Sequence, residues 1–254
     1  MTRKLLISVL LLAILVVAYF AGTLGGSSLV VNSQLPMNTY RVFMPIIMCH
    51  RFVETLLWAD GFDEELTYWA SAGNGNWATT VTFFDDPYYD KAALLIPGDG
   101  LHQYVYIAHT ELESLPSHWI GLQLEFYICD DNFWAFMPIL DILEAPNCYP
   151  IHIRYRHAAG KLELHDGTEW ITIATPGQLA HGWHTLRLVA DTRDMTYWYV
   201  RLDGYTTWLF GYYLEVEPDM PWTGYCPRLF VYNGSAGTTT SIAIDHVMVF
   251  RIDP

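Results

Sequence analysis

The sequence is poor in positive charge, in cysteine and in helical periodicity. Lys and Arg number 13 against 27 Asp and Glu, a formal net charge of −14. Phosphate backbones need clustered cations, so this shortage excludes a nucleic-acid partner. The four Cys form no C-x-x-C pair, which argues against a dithiol redox motif or a zinc knuckle. There is no Gly-rich phosphate loop and no Gly-x-Ser-x-Gly turn, so neither a P-loop nor an α/β-hydrolase elbow is encoded. What is plentiful is apolar and aromatic: 52% of the 254 residues are hydrophobic and 15% are Phe, Trp or Tyr. That composition excludes a disordered chain, and the length suits one globular domain.

The N-terminus points out of the cytoplasm. Arg3 and Lys4 precede residues 5–24, a run of 20 without a charge. As a helix it measures about 30 Å, enough to cross a bilayer core. It is longer than the roughly 7–15-residue core of a secretory signal, and the small residues near 23–26 make a poor cleavage site. A retained anchor (1–24) is therefore favoured over a cleaved signal, with the two cations inside and the rest extracytoplasmic, at the cell surface or secreted. Residues 25–57 read as a tether with an apolar patch (RVFMPIIM, 41–48), and 58–254 as the domain. In an exported chain an even Cys count suggests disulfides. Cys129 and Cys148, flanking a strand–loop–strand unit, are the favoured pair, with buried free thiols as the alternative. Asn233-Gly234-Ser235 is a glycosylation sequon.

From Trp58 onward, short alternating runs recur with turn residues between them. Leu122, Leu124, Phe126 and Ile128 alternate with Gln123, Glu125, Tyr127 and Cys129. Ile151, Ile153 and Tyr155 alternate with His152, Arg154 and Arg156. Leu162 and Leu164, then Leu186, Leu188 and Ala190, continue the pattern. Trp198, Val200 and Leu202 alternate with Tyr197, Tyr199 and Arg201. Gly160-Lys161, Asp166-Gly167 and Asp203-Gly204 stand where hairpin turns belong. Ten or more such strands predict an all-β, two-sheet antiparallel jelly-roll sandwich.

Three segments carry a resemblance. They are DGFDEELTYWASAGNGNW (60–77), GWHTLRLVADTRDMTYWYVRLDG (182–204) and IAIDHVMVFRI (242–252). Together they resemble the first strand, a central hairpin and the closing strand of the concanavalin A-like lectin/glucanase (laminin-G-like) jelly rolls, over roughly 58–252. The resemblance implies the fold but not the function, because such modules bind glycans, hydrolyse glucans or serve as adhesive parts. Glucanases of this group carry Glu-x-Asp-x-x-Glu on one strand. Here Asp141 and Glu144 match the last two positions, but Ile139 stands where the nucleophile belongs, so the reading is non-enzymatic, with Asp141 and Glu144 as solvated strand-end carboxylates.

The leading expectation is a non-catalytic module for a glycan or envelope polymer. Tyr127, Arg154, Arg156, Tyr197, Tyr199 and Arg201 would form one polar-aromatic sheet face, with Trp134 and Trp208 as nearby platforms. The alternative is an accessory subunit of a membrane-anchored assembly with protein partners, and a weaker one is a glycoside hydrolase. Asp60, Asp63 and Asp245 are the candidate ligands of a structural calcium, since hard oxygens suit that ion and first and last strands commonly adjoin. His181 and His184 are the closest His pair and read as local hydrogen-bonding groups.

Overall fold

The computed structural model describes residues 52–253, apart from 63–65, 67–68, 74–76, 83–90, 112–117 and 239. The expected anchor, most of the tether with its apolar patch, Cys49 and Asp63 lie outside the described residues.

Sixteen strands and no helix occur among the described residues. In chain order they are β1 (Val53–Asp60), β2 (Ala70–Gly73), β3 (Trp77–Thr82), β4 (Lys91–Ile96), β5 (Tyr104–Ala108), β6 (Trp119–Ile128), β7 (Phe133–Glu144) and β8 (Asn147–Arg156). There follow β9 (Lys161–His165), β10 (Trp170–Ala174), β11 (Gly182–Asp191), β12 (Thr196–Leu202), β13 (Tyr205–Trp208), β14 (Glu217–Pro218), β15 (Gly224–Asn233) and β16 (Ile242–Asp253). The first sheet runs β13-β12-β11-β6-β16-β4-β3, with β1 added along the second half of β16. The second runs β10-β9-β8-β7-β15-β5-β2, with β14 beside the start of β8. This is the antiparallel sandwich expected from the sequence, and the first and last strands do pair. Among the described residues its first strand starts at Val53, inside the segment read as tether.

The alternation explains why the sheets close on each other. Leu122, Leu124, Phe126 and Ile128 of β6 are fully buried, and they share one core with Ile151, Ile153 and Tyr155 of β8 on the facing sheet. Burying each such side chain contributes roughly 1.5–3 kcal/mol. All three expected hairpin turns form, with Gly160, Gly167 and Gly204 at positive φ. Gly160 has a second constraint: a Cβ there would lie 2.6 Å from the carbonyl carbon of Gly177.

Register shifts interrupt the alternation in several strands, and one of them moves an expected site residue. Across β11 and β12, Val189 faces Tyr199 but the next residue, Ala190, faces Tyr197. Trp198 is the extra residue of a bulge, and everything before it flips face. Tyr197 turns into the core and Trp198 turns outward, against Trp119 and Phe52.

The disulfide expectation is corrected. Cys129 directly follows β6 of the first sheet, whereas Cys148 lies in β8 on the second, packed with Leu143 and Cys226; all three described cysteines are free. Burial, followed by the nearby Asp141 carboxylate, pushes the Cys148 thiol up to about 12. Thiolate is the reactive form, so Cys148 is expected to resist alkylation at pH 8 in the native protein and to react fully in denaturant. Peptide mapping after iodoacetamide checks this, and labelling under native conditions would contradict the burial. The sequon is closed as well. Asn233 is fully buried and its side-chain amide donates to the carbonyls of Gly98 and Thr238, both at 2.8 Å.

Candidate functional site

The residues expected to form one face lie on two. Tyr127, Tyr199 and Arg201 belong to β6 and β12 of the first sheet; Trp134, Arg154 and Arg156 belong to β7 and β8 of the second. Because the sheets share a core between them, their outer faces point apart. Tyr197 is on neither outer face, being 2% exposed in the core.

On the first sheet, Arg187 draws the polar groups together. Its guanidinium donates to the Tyr199 hydroxyl at 2.9 Å and to Gln123 at 3.1 Å, pairs with Glu54 at 2.5 Å, and lies over the Phe250 ring. Beside it is a shallow depression of about 250 Å³ lined by Arg187, Arg201 and Asp203 among others. Tyr127 meets Trp183 edge-on at 5.4 Å. Trp208 is half-exposed and stacks on Phe210.

The outer face of the second sheet is richer. The Arg154 guanidinium lies 3.9 Å from the ring centroid of Trp170 and 5.4 Å from that of Trp134. Glu163, the cross-strand neighbour of Arg154, holds it at 2.6 Å, with Arg156 3.6 Å from the other carboxylate oxygen. Next across the sheet stand Tyr104, Tyr106, Phe230 and Tyr232, with Tyr106 and Phe230 stacked at 4.6 Å. Such a surface offers ring faces, guanidinium donors and a fixed carboxylate side by side.

One step along the strands from Arg154 lies a cluster of titratable groups. His152 points outward from β8, and His165 does so at the end of β9. The two strands pair only as far as Ile153 and Leu164. Beyond that rung β9 ends, and the chain segment before β14 supplies Glu215. Leu214 enters the core, whereas the part-exposed Glu215 meets the two rings. The Glu215 carboxylate is 3.0 Å from Nδ1 of His165 and 3.7 Å from Nδ1 of His152. From the core side, the Tyr197 hydroxyl takes the place of the missing rung. It accepts from the His152 N–H at 3.0 Å and donates to the His165 carbonyl at 2.8 Å. Burial, then the Arg228 charge and His165, hold the His152 imidazole down at about 4. It is neutral at pH 7, with a free lone pair for a proton or another electrophile.

Further along the same face, Asp141 is 6% exposed and binds Arg228 at 2.6 Å. The expectation of a solvated carboxylate is corrected at this position. Burial raises its carboxyl to about 6 despite the guanidinium beside it. Ile139 is buried on the same face, directly opposite His152, and Glu144 is exposed at the strand end.

The other candidates are placed as follows. Asp60 accepts from the Phe62 N–H at 2.7 Å and from the Trp69 indole at 2.9 Å. Asp245 is fully buried, accepts from the His246 N–H at 2.7 Å, and lies 2.9 Å from that imidazole. An ideal Cβ on Gly61 would be 3.8 Å from Asp245, so the two acidic positions are neighbours. His184 bridges Asp203 at 2.6 Å and the Ala180 carbonyl at 2.8 Å. His181 and the buried His157 share Asp131.

Sequence reasoning passed over His165, Glu215, Trp170, Glu163 and Arg228. His165 was open to discovery: like His152 it is an outward position on consecutive strands, and such positions share a face. Glu215 gave no such signal, because its segment has no regular period.

No family model and no curated protein matches the chain. Solved structures do. A carbohydrate esterase of the Shiga toxin-encoding bacteriophage phi24B superposes with a TM-score of 0.53 at 16% identity, over 78% of this chain and 99% of that one. An endo-acting O-glycanase of the human gut microbiota gives 0.49 at 12% identity, over 78% and 100%. An alginate lyase of a Chlorella virus gives 0.48 at 9%, over 77% and 99%. At these identities what is shared is an all-β sandwich, consistent with a jelly roll. The expectation that the chain is not an enzyme is corrected here. It rested on Ile139 replacing one glutamate, yet an esterase has this fold. The same face of this chain also carries other titratable groups, around His152.

Proposed function

We propose that the chain is a carbohydrate-active protein that lays a glycan across the outer face of the second sheet and acts on it at the His152–His165–Glu215 cluster. The observation that carries the reading is Arg154 clasped between Trp170 and Trp134 and fixed by Glu163, directly beside that cluster. Rings offer sugars a flat apolar surface, and a guanidinium held in place donates to hydroxyls or carboxylates with little ordering cost. The glycan-related names of the structural neighbours agree with it. In this reading residues 5–24 anchor the chain, and the sandwich works outside the cytoplasm, where polysaccharides are found.

The test is affinity electrophoresis and product analysis of the full-length protein against a polysaccharide panel. Trp170→Ala is expected to weaken retention about ten-fold, equivalent to ~1.4 kcal/mol, while moving the melting temperature by no more than a few degrees. Unchanged retention in both Trp170→Ala and Arg154→Ala would remove this face as the binding site. Retention without release of any product from any retained polymer would remove the chemical part.

A second reading is favoured by one observation. Tyr205, Phe210 and Tyr213 are 78%, 69% and 68% exposed, with Trp208 and Trp222 near half. Exposed aromatic surface of this kind commonly meets another protein, which suits a subunit of an envelope assembly.

A further inference from the structure

We propose that His152, His165 and Glu215 form a binding site for one divalent transition-metal ion of the zinc class. A nitrogen of each ring and a carboxylate oxygen all lie within 4.8 Å of one another. Tetrahedral zinc with bonds of about 2.0–2.1 Å places its ligand atoms roughly 3.4 Å apart. The distances from the Glu215 carboxylate to Nδ1 of His165 and of His152, 3.0 Å and 3.7 Å, lie on either side of that value. Two imidazoles and one carboxylate are the donors such ions take, whereas calcium and magnesium prefer oxygen alone.

Three features suit the cluster to an ion. The first is anchoring: the Tyr197 hydroxyl ties together the backbones of His152 and His165, so both rings are carried on a fixed frame. The second is charge. Arg154 and Arg228 flank the cluster, and each is paired with a carboxylate at 2.6 Å: Glu163, which Arg156 shares, and Asp141. The third is access. The side chains of His152, His165 and Glu215 are 16%, 20% and 28% exposed, so water can reach the cluster from the outer face. A three-ligand site with an open position is the arrangement of zinc centres that activate water. The proposal does not depend on the glycan reading, because metal binding is measured without any sugar.

The test uses untagged full-length protein, freed of metal by a chelator, titrated with zinc by calorimetry and followed by thermal melting. One zinc per chain is expected, with micromolar or tighter affinity and a melting temperature that rises with zinc concentration. His165→Ala and Glu215→Gln should each weaken binding by more than roughly a hundred-fold, since even outer partners of a metal site reach that loss. His181→Ala, at a histidine outside the cluster, should bind as the parent does. Metal-free melts show whether each variant is folded, and cobalt spectra of the parent give an independent sign of imidazole coordination. The proposal is overturned if the folded parent shows neither heat nor a melting shift at 0.1 mM zinc (about 100-fold above a micromolar Kd). It is equally overturned if zinc binding survives in both cluster variants.

Discussion

Replacing Arg228 by alanine is expected to destabilise the protein by about 3–5 kcal/mol at pH 8 and by much less at pH 5. The reason is Asp141, which is 6% exposed and has Arg228 at 2.6 Å. Its carboxyl titrates at about 6 in the folded protein, above the ordinary carboxylate value, because burial outweighs the ion pair. A folded-state value raised in this way means that the ionised form is the costly one. On this group's account stability is greatest below the unfolded carboxylate range, falls as pH rises towards 6, and is level above that. Without the guanidinium the penalty continues to grow past pH 6, so the variant and the parent diverge in alkali and converge in acid. Urea midpoints at pH 5 and pH 8 measure this. Adding Asp141→Asn to the variant should recover most of the loss at pH 8, because the unpaired charge is then gone. A loss equal at both pH values would instead assign the effect to the contact of the Arg228 guanidinium with the Phe230 ring.

That pair marks the limit of what the sequence discloses. Asp141 and Arg228 are 87 positions apart and meet because β15 lies against β7. No local pattern encodes that adjacency. What is local was legible: the buried rows of β6, β8, β9 and β11, and turns at Gly160, Gly167 and Gly204, all follow from a period of two and from positive φ. The bulge at Trp198 was not legible, because alternation cannot show where one residue is inserted. That single residue moves Tyr197 from an expected glycan face into the core. Expecting one binding face failed for another reason. Period two assigns each residue a side of its own strand, but not which sheet the strand joins. Arg154 and Tyr199 therefore look alike in sequence, although they point out of opposite sides of the sandwich. Excluding an enzyme from Ile139 assumed that chemistry on this fold must use one strand's carboxylates. The titratable groups actually brought together come from β8, β9 and the approach to β14, and so from three stretches of chain.

Tyr197 joins stability to the site, and its two substitutions are expected to separate those roles. Tyr197→Ala opens a cavity in a core where the side chain is 2% exposed, a change that costs about 3–5 kcal/mol for a large aromatic. Tyr197→Phe keeps the ring and removes only the hydroxyl. The His152 N–H and the His165 carbonyl then lose the group that stands in for a rung of the sheet. Leaving buried polar groups unmet costs about 1–3 kcal/mol, which in a domain of this size lowers the melting temperature by roughly 2–4 °C per kcal/mol. The phenylalanine variant should therefore remain folded at room temperature while the two histidine-bearing strands come loose where their pairing stops. Amide exchange at His152 reports this directly. It should quicken in Tyr197→Phe, while amides within the intact β7–β8 ladder, such as that of Ile151, keep their protection. If the His152 amide stays as protected as in the parent, the hydroxyl is not what closes the gap between β8 and β9. The frame that carries His152 and His165 would then have to come from the outer face, through Glu215 alone.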